Sequence, residues 1–179
     1  MKKHASLPPI AVIALCGALL LALSLALHGV TQRRAQTQHL AALQTLLPGS
    51  TQFFVEPYTG GDSNVRTVHR SEGGCVVETA THGYAGEVRV WVGVDNGGHV
   101  TGLVVRQAHE TAGLGNRILH DEAFLSQFLG LSTEAEVGTN IDAISGATVT
   151  SRAVARCVNS AIAVVTGADI VTEATVWGG

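Results

Sequence analysis

"EVRVWVGVDNGGHVTGLVVR", Glu87 to Arg106, alternates Val88, Val90, Val92 and Val94 with Glu87, Arg89, Trp91 and Gly93. A period of two predicts a strand that buries one valine face. "DNGG", Asp95 to Gly98, then supplies a glycine-rich turn of hairpin length, and "HVTGLVVR" supplies the return strand. Upstream, "CVVETA" (Cys75 to Ala80) is a candidate third strand. Residues 50–74 are rich in Gly, Ser, Asn and Thr with short apolar pieces, which predicts loops and a short strand.

Helical spacing flanks this hairpin. "DEAFLSQFL", 121–129, opens with an acidic first turn and puts Phe124, Leu125, Phe128 and Leu129 on one face. From about Ser151 to Val165, Val154, Cys157, Val158, Ala161, Ile162 and Val165 recur at spacings of three and four, with Gly167 placed as the stop. Before the strands, Leu40, Leu43, Leu46 and Leu47 predict a connecting helix over 31–49, ended by Pro48 and Gly49. Hairpins beside helices predict an α+β domain with an antiparallel sheet.

The composition, 46% hydrophobic and 14% charged, is more apolar than usual for a soluble chain of 179 residues. Much of the excess lies in residues 10–27, which carry no charge and as a helix reach roughly 27 Å. One transmembrane helix within residues 10–30 is the expectation. The run is long for a cleaved signal peptide, despite Lys2 and Lys3 before it and the small residues Ser24 and Ala26. A lipoprotein anchor at Cys16 is disfavoured by the bulky Leu15 and by the short apolar sequence before it. Charge leaves the orientation open, with Lys2 and Lys3 on one side and Arg33 and Arg34 on the other.

Beyond that helix, nine arginines stand against fourteen acidic residues, a formal charge of −5. This speaks against a nucleic-acid or anionic-membrane surface. Cys75 and Cys157 read as buried thiols, since no spacing suggests a disulfide framework. No CxxC or paired-His spacing predicts a metal site, and HExxH fails because Gly113 stands where the second His belongs. His69, His82, His99 and His120 are scattered and read as surface residues; Trp91 and Tyr84 have rings able to stack on a flat cofactor, but core packing is the expected duty of each.

The chemistry concentrates in "DAISGATVTSRAV", Asp142 to Val154, where Ser145, Gly146, Ala147 and Thr148 enter the last helix. The first turn of a helix offers unpaired N–H groups and a positive dipole end suited to a phosphate. Physics alone favours a simpler duty, in which Thr148, Thr150 or Ser151 caps the helix and Asp142 is an ordinary turn residue. The string nevertheless resembles the flavinylation motif of FMN-binding domains: Asp, then after two residues Ser/Thr-Gly-Ala-Thr/Ser. A second stretch, Gly83 to Arg117, resembles the G subunit of Rnf electron-transport complexes in order and spacing. It runs from Gly83-Tyr84 through the hairpin to His109-Glu110-Thr111 and Gly113-Leu114-Gly115. Ala112 departs from the proline common in that family, and the basic residue usual between His and Glu is absent.

The resemblance spans about Cys75 to Val165 and implies a covalent FMN on Thr148, held through a phosphoester. Ser145, Gly146, Ala147 and Asp142 would belong to the motif, and Glu110, Thr111, Gly113 and Leu114 to a second flavin loop. No Ser-His-Asp arrangement activates the hydroxyl, so an outside enzyme would attach the group; the resemblance implies a Mg-dependent flavin transferase that uses FAD as donor and reads the motif, Asp142 included. The resemblance further implies a membrane electron carrier that is not catalytic alone. It would work among the other subunits of an Rnf-type complex coupling ferredoxin and NAD to ion movement across the bacterial inner membrane. Residues 1–9 would be cytoplasmic and 50–179 a periplasmic FMN-binding domain. The alternatives are the C subunit of the sodium-pumping NADH:quinone reductase, a stand-alone tethered FMN domain, and a flavin-free assembly subunit.

Overall fold

The computed structural model describes residues 17, 19–22, 36–108 and 118–168. The chain divides into Met1–Ala41 and Ala42–Gly179. In the first unit the described residues are helical. Among the described residues no helix is long and apolar enough to cross a membrane. The expected span at 10–30 lies outside the described residues except for 17 and 19–22, and the loop with Glu110, Thr111, Gly113 and Leu114 lies wholly outside them.

The second unit is built on a five-stranded antiparallel meander, β1 (Phe54–Glu56), β2 (Val65–Ser71), β3 (Gly74–His82), β4 (Glu87–Asp95) and β5 (Val100–Ala108), in the order 1-2-3-4-5. The predicted hairpin is β4–β5, with Val90 opposite Val105 and Gly93 opposite Gly102. At its turn the Asp95 carboxylate accepts the backbone N–H groups of Gly97 and His99, each at 2.8 Å. Those bonds, that of His99 foremost, hold its carboxyl below the ordinary range. The predicted third strand is β3. Residues 50–74 contain more strand than expected, because β2 pairs along β3 with a single register shift near Val65. That pairing supplies the order that its mixed polar sequence does not announce.

Among the described residues, the end of α1 (residues 36–46, of which 42–46 lie in this unit), α2 (Glu122–Ser126) and α3 (Thr148–Thr166) complete the unit. Val88, Val90, Val92 and Val94 are wholly buried, packed with Val154, Cys157, Val158, Ala161 and Ile162 of α3. Gly167 ends α3 in the left-handed conformation, φ 67°, as its position suggested. Asp121 caps α2 by accepting the Phe124 N–H at 3.0 Å, and Phe124 meets Phe128 edge to face at 5.2 Å.

The other face of the sheet is covered as well. Leu43, Leu46 and Leu47 are buried against Val76, with Trp91 and Val104 beside them. The end of α1 reaches the sheet because cross-strand partners Gly93 and Gly102 leave room for it; a Cβ on Gly93 would lie 2.1 Å from the Leu46 carbonyl oxygen. Thr101 Oγ1 donates to that same oxygen at 2.6 Å. Trp91 is half-buried there, with the Arg106 guanidinium 4.6 Å over its ring. Two expectations are corrected. Tyr84 is exposed rather than packed in the core. His69 is buried rather than on the surface, its Nε2 2.9 Å from Glu78 Oε1, because β3 supplies the polar partner that makes burial tolerable.

Cys75 and Cys157 are free and buried, and burial pushes their thiols up to about 11 and about 12. An unfolded thiol near 9 ionises first, so stability is full below pH 9 and falls as pH rises toward about 11 for Cys75 and about 12 for Cys157. Each thiol costs up to about 1.4 kcal/mol per pH unit across its window. Denaturant midpoints against pH will show this slope, and Cys157→Ala will flatten part of it. Gly93→Ala will cost about 3 kcal/mol, read from the same midpoints at pH 7, because the added Cβ meets rigid backbone.

Candidate functional site

Ile144 to Thr148 is a turn followed at once by a helix. The Ala147 N–H donates to the Ile144 oxygen at 2.9 Å, closing the turn. Its third residue, Gly146, has φ 79°, where a side chain would be strained. Ile144 and Ala147 point into the core, while Ser145, Gly146 and Thr148 are exposed. Anchored ends thus hold up an accessible tip.

Helix α3 starts three residues earlier than its apolar spacing suggested, since the backbone turn at Ala147 sets the first helical residue. The capping expectation is also corrected. Ala147 occupies the N-cap, so no side chain caps the helix. The N–H groups of Thr148, Val149 and Thr150 have no acceptor among the described residues. Thr148 is the first helical residue, and its hydroxyl likewise has no partner among them. Thr150 is buried, and Ser151 serves differently. Its Oγ accepts the Ile144 N–H at 3.1 Å and donates to the Ala147 oxygen at 3.0 Å.

Two more side chains grip backbone upstream, one of them just before the turn and the other at Ala135, away from it. Gln127, just after α2, accepts the Asp142 N–H through Oε1 at 2.7 Å and donates from Nε2 to the Asp142 oxygen at 3.3 Å. Asn159 of α3 does the same to Ala135, Oδ1 accepting its N–H at 2.7 Å and Nδ2 donating to its oxygen at 3.1 Å. Between these points Asn140 closes a small loop, accepting the Glu136 N–H at 2.7 Å and donating to the Glu134 oxygen at 2.9 Å. The Asp142 carboxylate is exposed and makes no hydrogen bond among the described residues, so it is not the self-bonded turn residue of the simple reading.

Asp142, Ala143, Ile144 and Ser145 form one wall of an open groove of about 560 Å³. Asp121, Ala123, Phe124 and Gln127 form the other. The structure therefore places Asp142 and Ser145 on the groove wall, Gly146 and Thr148 exposed next along the chain, and Ala147 buried between them. Thr148 offers a nucleophilic oxygen beside N–H groups, all without a partner among the described residues, and this donor set fits a phosphoester-linked nucleotide. Ser151, Gln127 and Asn159 were not singled out as site residues from the sequence. Ser151 bonds four residues back, a local pattern that is legible. Gln127 and Asn159 bond backbone 15 and 24 residues away, and no local signal announces that.

Residues 83–163 match the FMN-binding domain family. The chain is similar to the G subunit of the Na(+)-translocating ferredoxin:NAD(+) oxidoreductase complex of Acetobacterium woodii, 39% identical over 102 residues, 51% of this chain and 48% of that protein. It is also similar to the G subunit of the ion-translocating oxidoreductase complex of Aliivibrio fischeri strain MJ11, 33% identical over 103 residues, 52% of this chain and 49% of that one. The corresponding protein of Escherichia coli O157:H7 is 37% identical over 93 residues, 46% and 45% of the two chains. The chain spans about half the length of the curated relatives it matches. The resemblance read from the motifs and the similarity to these relatives agree on the FMN-binding domain and on the G-type subunit.

Asn159→Ala would leave the buried backbone groups of Ala135 without partners. It will lower stability by about 2 kcal/mol, measured by denaturant unfolding, with the secondary structure kept.

Proposed function

We propose that this chain is the flavin-carrying electron-transfer subunit of an Rnf-type ion-translocating complex, with FMN held covalently on Thr148. The observation that carries the reading is the release of Thr148 from structural duty. Its hydroxyl is exposed and without a partner among the described residues, at the uncapped start of a 19-residue helix, within the residues that match the FMN-binding domain. The three relatives named above are all G subunits, which favours that subunit over its counterpart in the sodium-pumping NADH:quinone reductase.

Attachment is a phosphoryl transfer. Thr148 Oγ forms a bond to the FMN phosphorus of FAD, the pyrophosphate bond breaks, and AMP leaves. No described side chain bonds Thr148 Oγ, so its proton passes to a base of the flavin transferase, a Mg-dependent enzyme that reads the motif with Asp142 as part of it. The free N–H groups of Val149 and Thr150 stabilise negative charge at that oxygen's substituent. Ser145, Gly146 and Ala147 keep the approach open. The motif resemblance assigns Glu110, Thr111, Gly113 and Leu114, outside the described residues, to a second flavin loop. The flavin supplies the redox chemistry, and the chain supplies position and electrostatic setting. Residues 10–30 anchor the subunit as a single membrane helix, with the domain on the periplasmic side, where it exchanges electrons with the other subunits.

The test is flavin fluorescence in a denaturing gel, on chain co-expressed with a flavin transferase. Wild type will fluoresce, Thr148→Ala will be dark while remaining folded, and Asp142→Ala will be dimmer. A fluorescent Thr148→Ala band would overturn the assignment. A dark wild-type band, with the transferase active on a control, would favour a flavin-free assembly subunit.

A further inference from the structure

We infer that Ser151 is a positioning residue for the group carried on Thr148, an inference that rests on the flavin reading above. A nucleotide joined to a threonine by one phosphoester can swing about every single bond of the link. Its place is fixed only as well as the backbone beneath it. Here that backbone has no N-cap side chain to steady it, since Ala147 occupies the position.

Ser151 takes over that duty from inside the helix. Its side chain is wholly buried and spends both hydrogen-bonding capacities on the turn, accepting from Ile144 and donating to Ala147. The two bonded residues bracket Ser145 and Gly146, and the second of them, Ala147, directly precedes Thr148. Gln127 holds Asp142 by both backbone groups two residues upstream, so the carrier segment is gripped at each end. The polar satisfaction of the turn is thereby met without the Thr148 hydroxyl, which leaves that oxygen free for the flavin. A serine hydroxyl suits the role because one atom both donates and accepts. Ser151→Ala keeps the volume nearly unchanged but strands the Ile144 N–H in a buried position.

A purely structural role for Ser151 makes a different forecast, and Asn159 separates the two. Asn159 also clamps backbone from α3, but at Ala135, away from the carrier turn. Loss of stability alone would affect both variants alike, whereas loss of positioning would affect only Ser151→Ala.

The experiment uses full-length chain loaded by a flavin transferase, as wild type, Ser151→Ala, Asn159→Ala and Gln127→Met. All four will show a covalent fluorescent band in a denaturing gel. In the native proteins, time-resolved fluorescence anisotropy will show a larger fast component for the flavin of Ser151→Ala, and the wild-type decay for Asn159→Ala. Gln127→Met, altered at a half-exposed side chain, will enlarge the fast component too, and it decides the matter if Ser151→Ala does not fold. In the flavin-free chain, amide exchange at Ile144 will be about tenfold faster in Ser151→Ala than in wild type. Unchanged anisotropy in both Ser151→Ala and Gln127→Met, or an equal rise in Asn159→Ala, would overturn the positioning role while leaving the covalent flavin standing. A dark wild-type band would instead overturn the carrier reading and this inference with it.

Discussion

The valine face of β4 lies against α3, and the site depends on that contact. Val88, Val90, Val92 and Val94 are removed from water by Val154, Cys157, Val158, Ala161 and Ile162. A fully buried valine is worth roughly 1.5–3 kcal/mol, so this seam outweighs any single hydrogen bond in the unit. It fixes α3 on the sheet and, through the rigidity of 19 residues of helix, fixes where the helix begins. The place of Thr148 is inherited from the core.

What the seam does not determine is the shape of the chain entering the helix, and here polar side chains take over. Gln127, Asn159 and Ser151 each satisfy a donor and an acceptor of nearby or distant backbone. Leaving such groups unpaired in a buried setting would be costly, so Asn159 fixes the chain upstream at Ala135 while Gln127 and Ser151 define the turn that carries Thr148. The tip stays exposed because its neighbours, Ile144 and Ala147, take the buried positions. An accessible threonine on a stiff mount is the physical result, and it suits a covalent carrier better than a mobile loop would.

Both faces of the sheet are occupied, and this bears on how the domain is bounded. Gly93 and Gly102 make a hollow that the end of α1 enters, and Thr101 ties down the Leu46 carbonyl. The helix end thus belongs to the packing of the sheet. Its leucines stand at helical spacing, but nothing in that spacing says which surface they will meet.

The β4–β5 hairpin, the course of α3 to Gly167 and the burial of the two thiols were legible because each rests on local pattern: alternation, three-and-four spacing, and the ordinary preference of cysteine for the interior. The motif from Asp142 to Thr148 stands on different ground, since its resemblance to the flavinylation motif is carried by adjacent residues and not by folding periodicity. β2 was harder to see, because partners along β3 stabilise it more than its own residues do. The exposure of Tyr84 and the burial of His69 beside Glu78 were decided by neighbours remote in sequence. By itself the sequence determined the strand and helix periodicities, the negative charge of the domain and the identity of the candidate threonine. Only the tertiary structure decided that Ala147 would be the cap and that Ser151 and Gln127 would hold the turn. Which hydroxyl is used and which is free depends on where buried backbone groups of other segments come to rest, and folding alone brings those groups together.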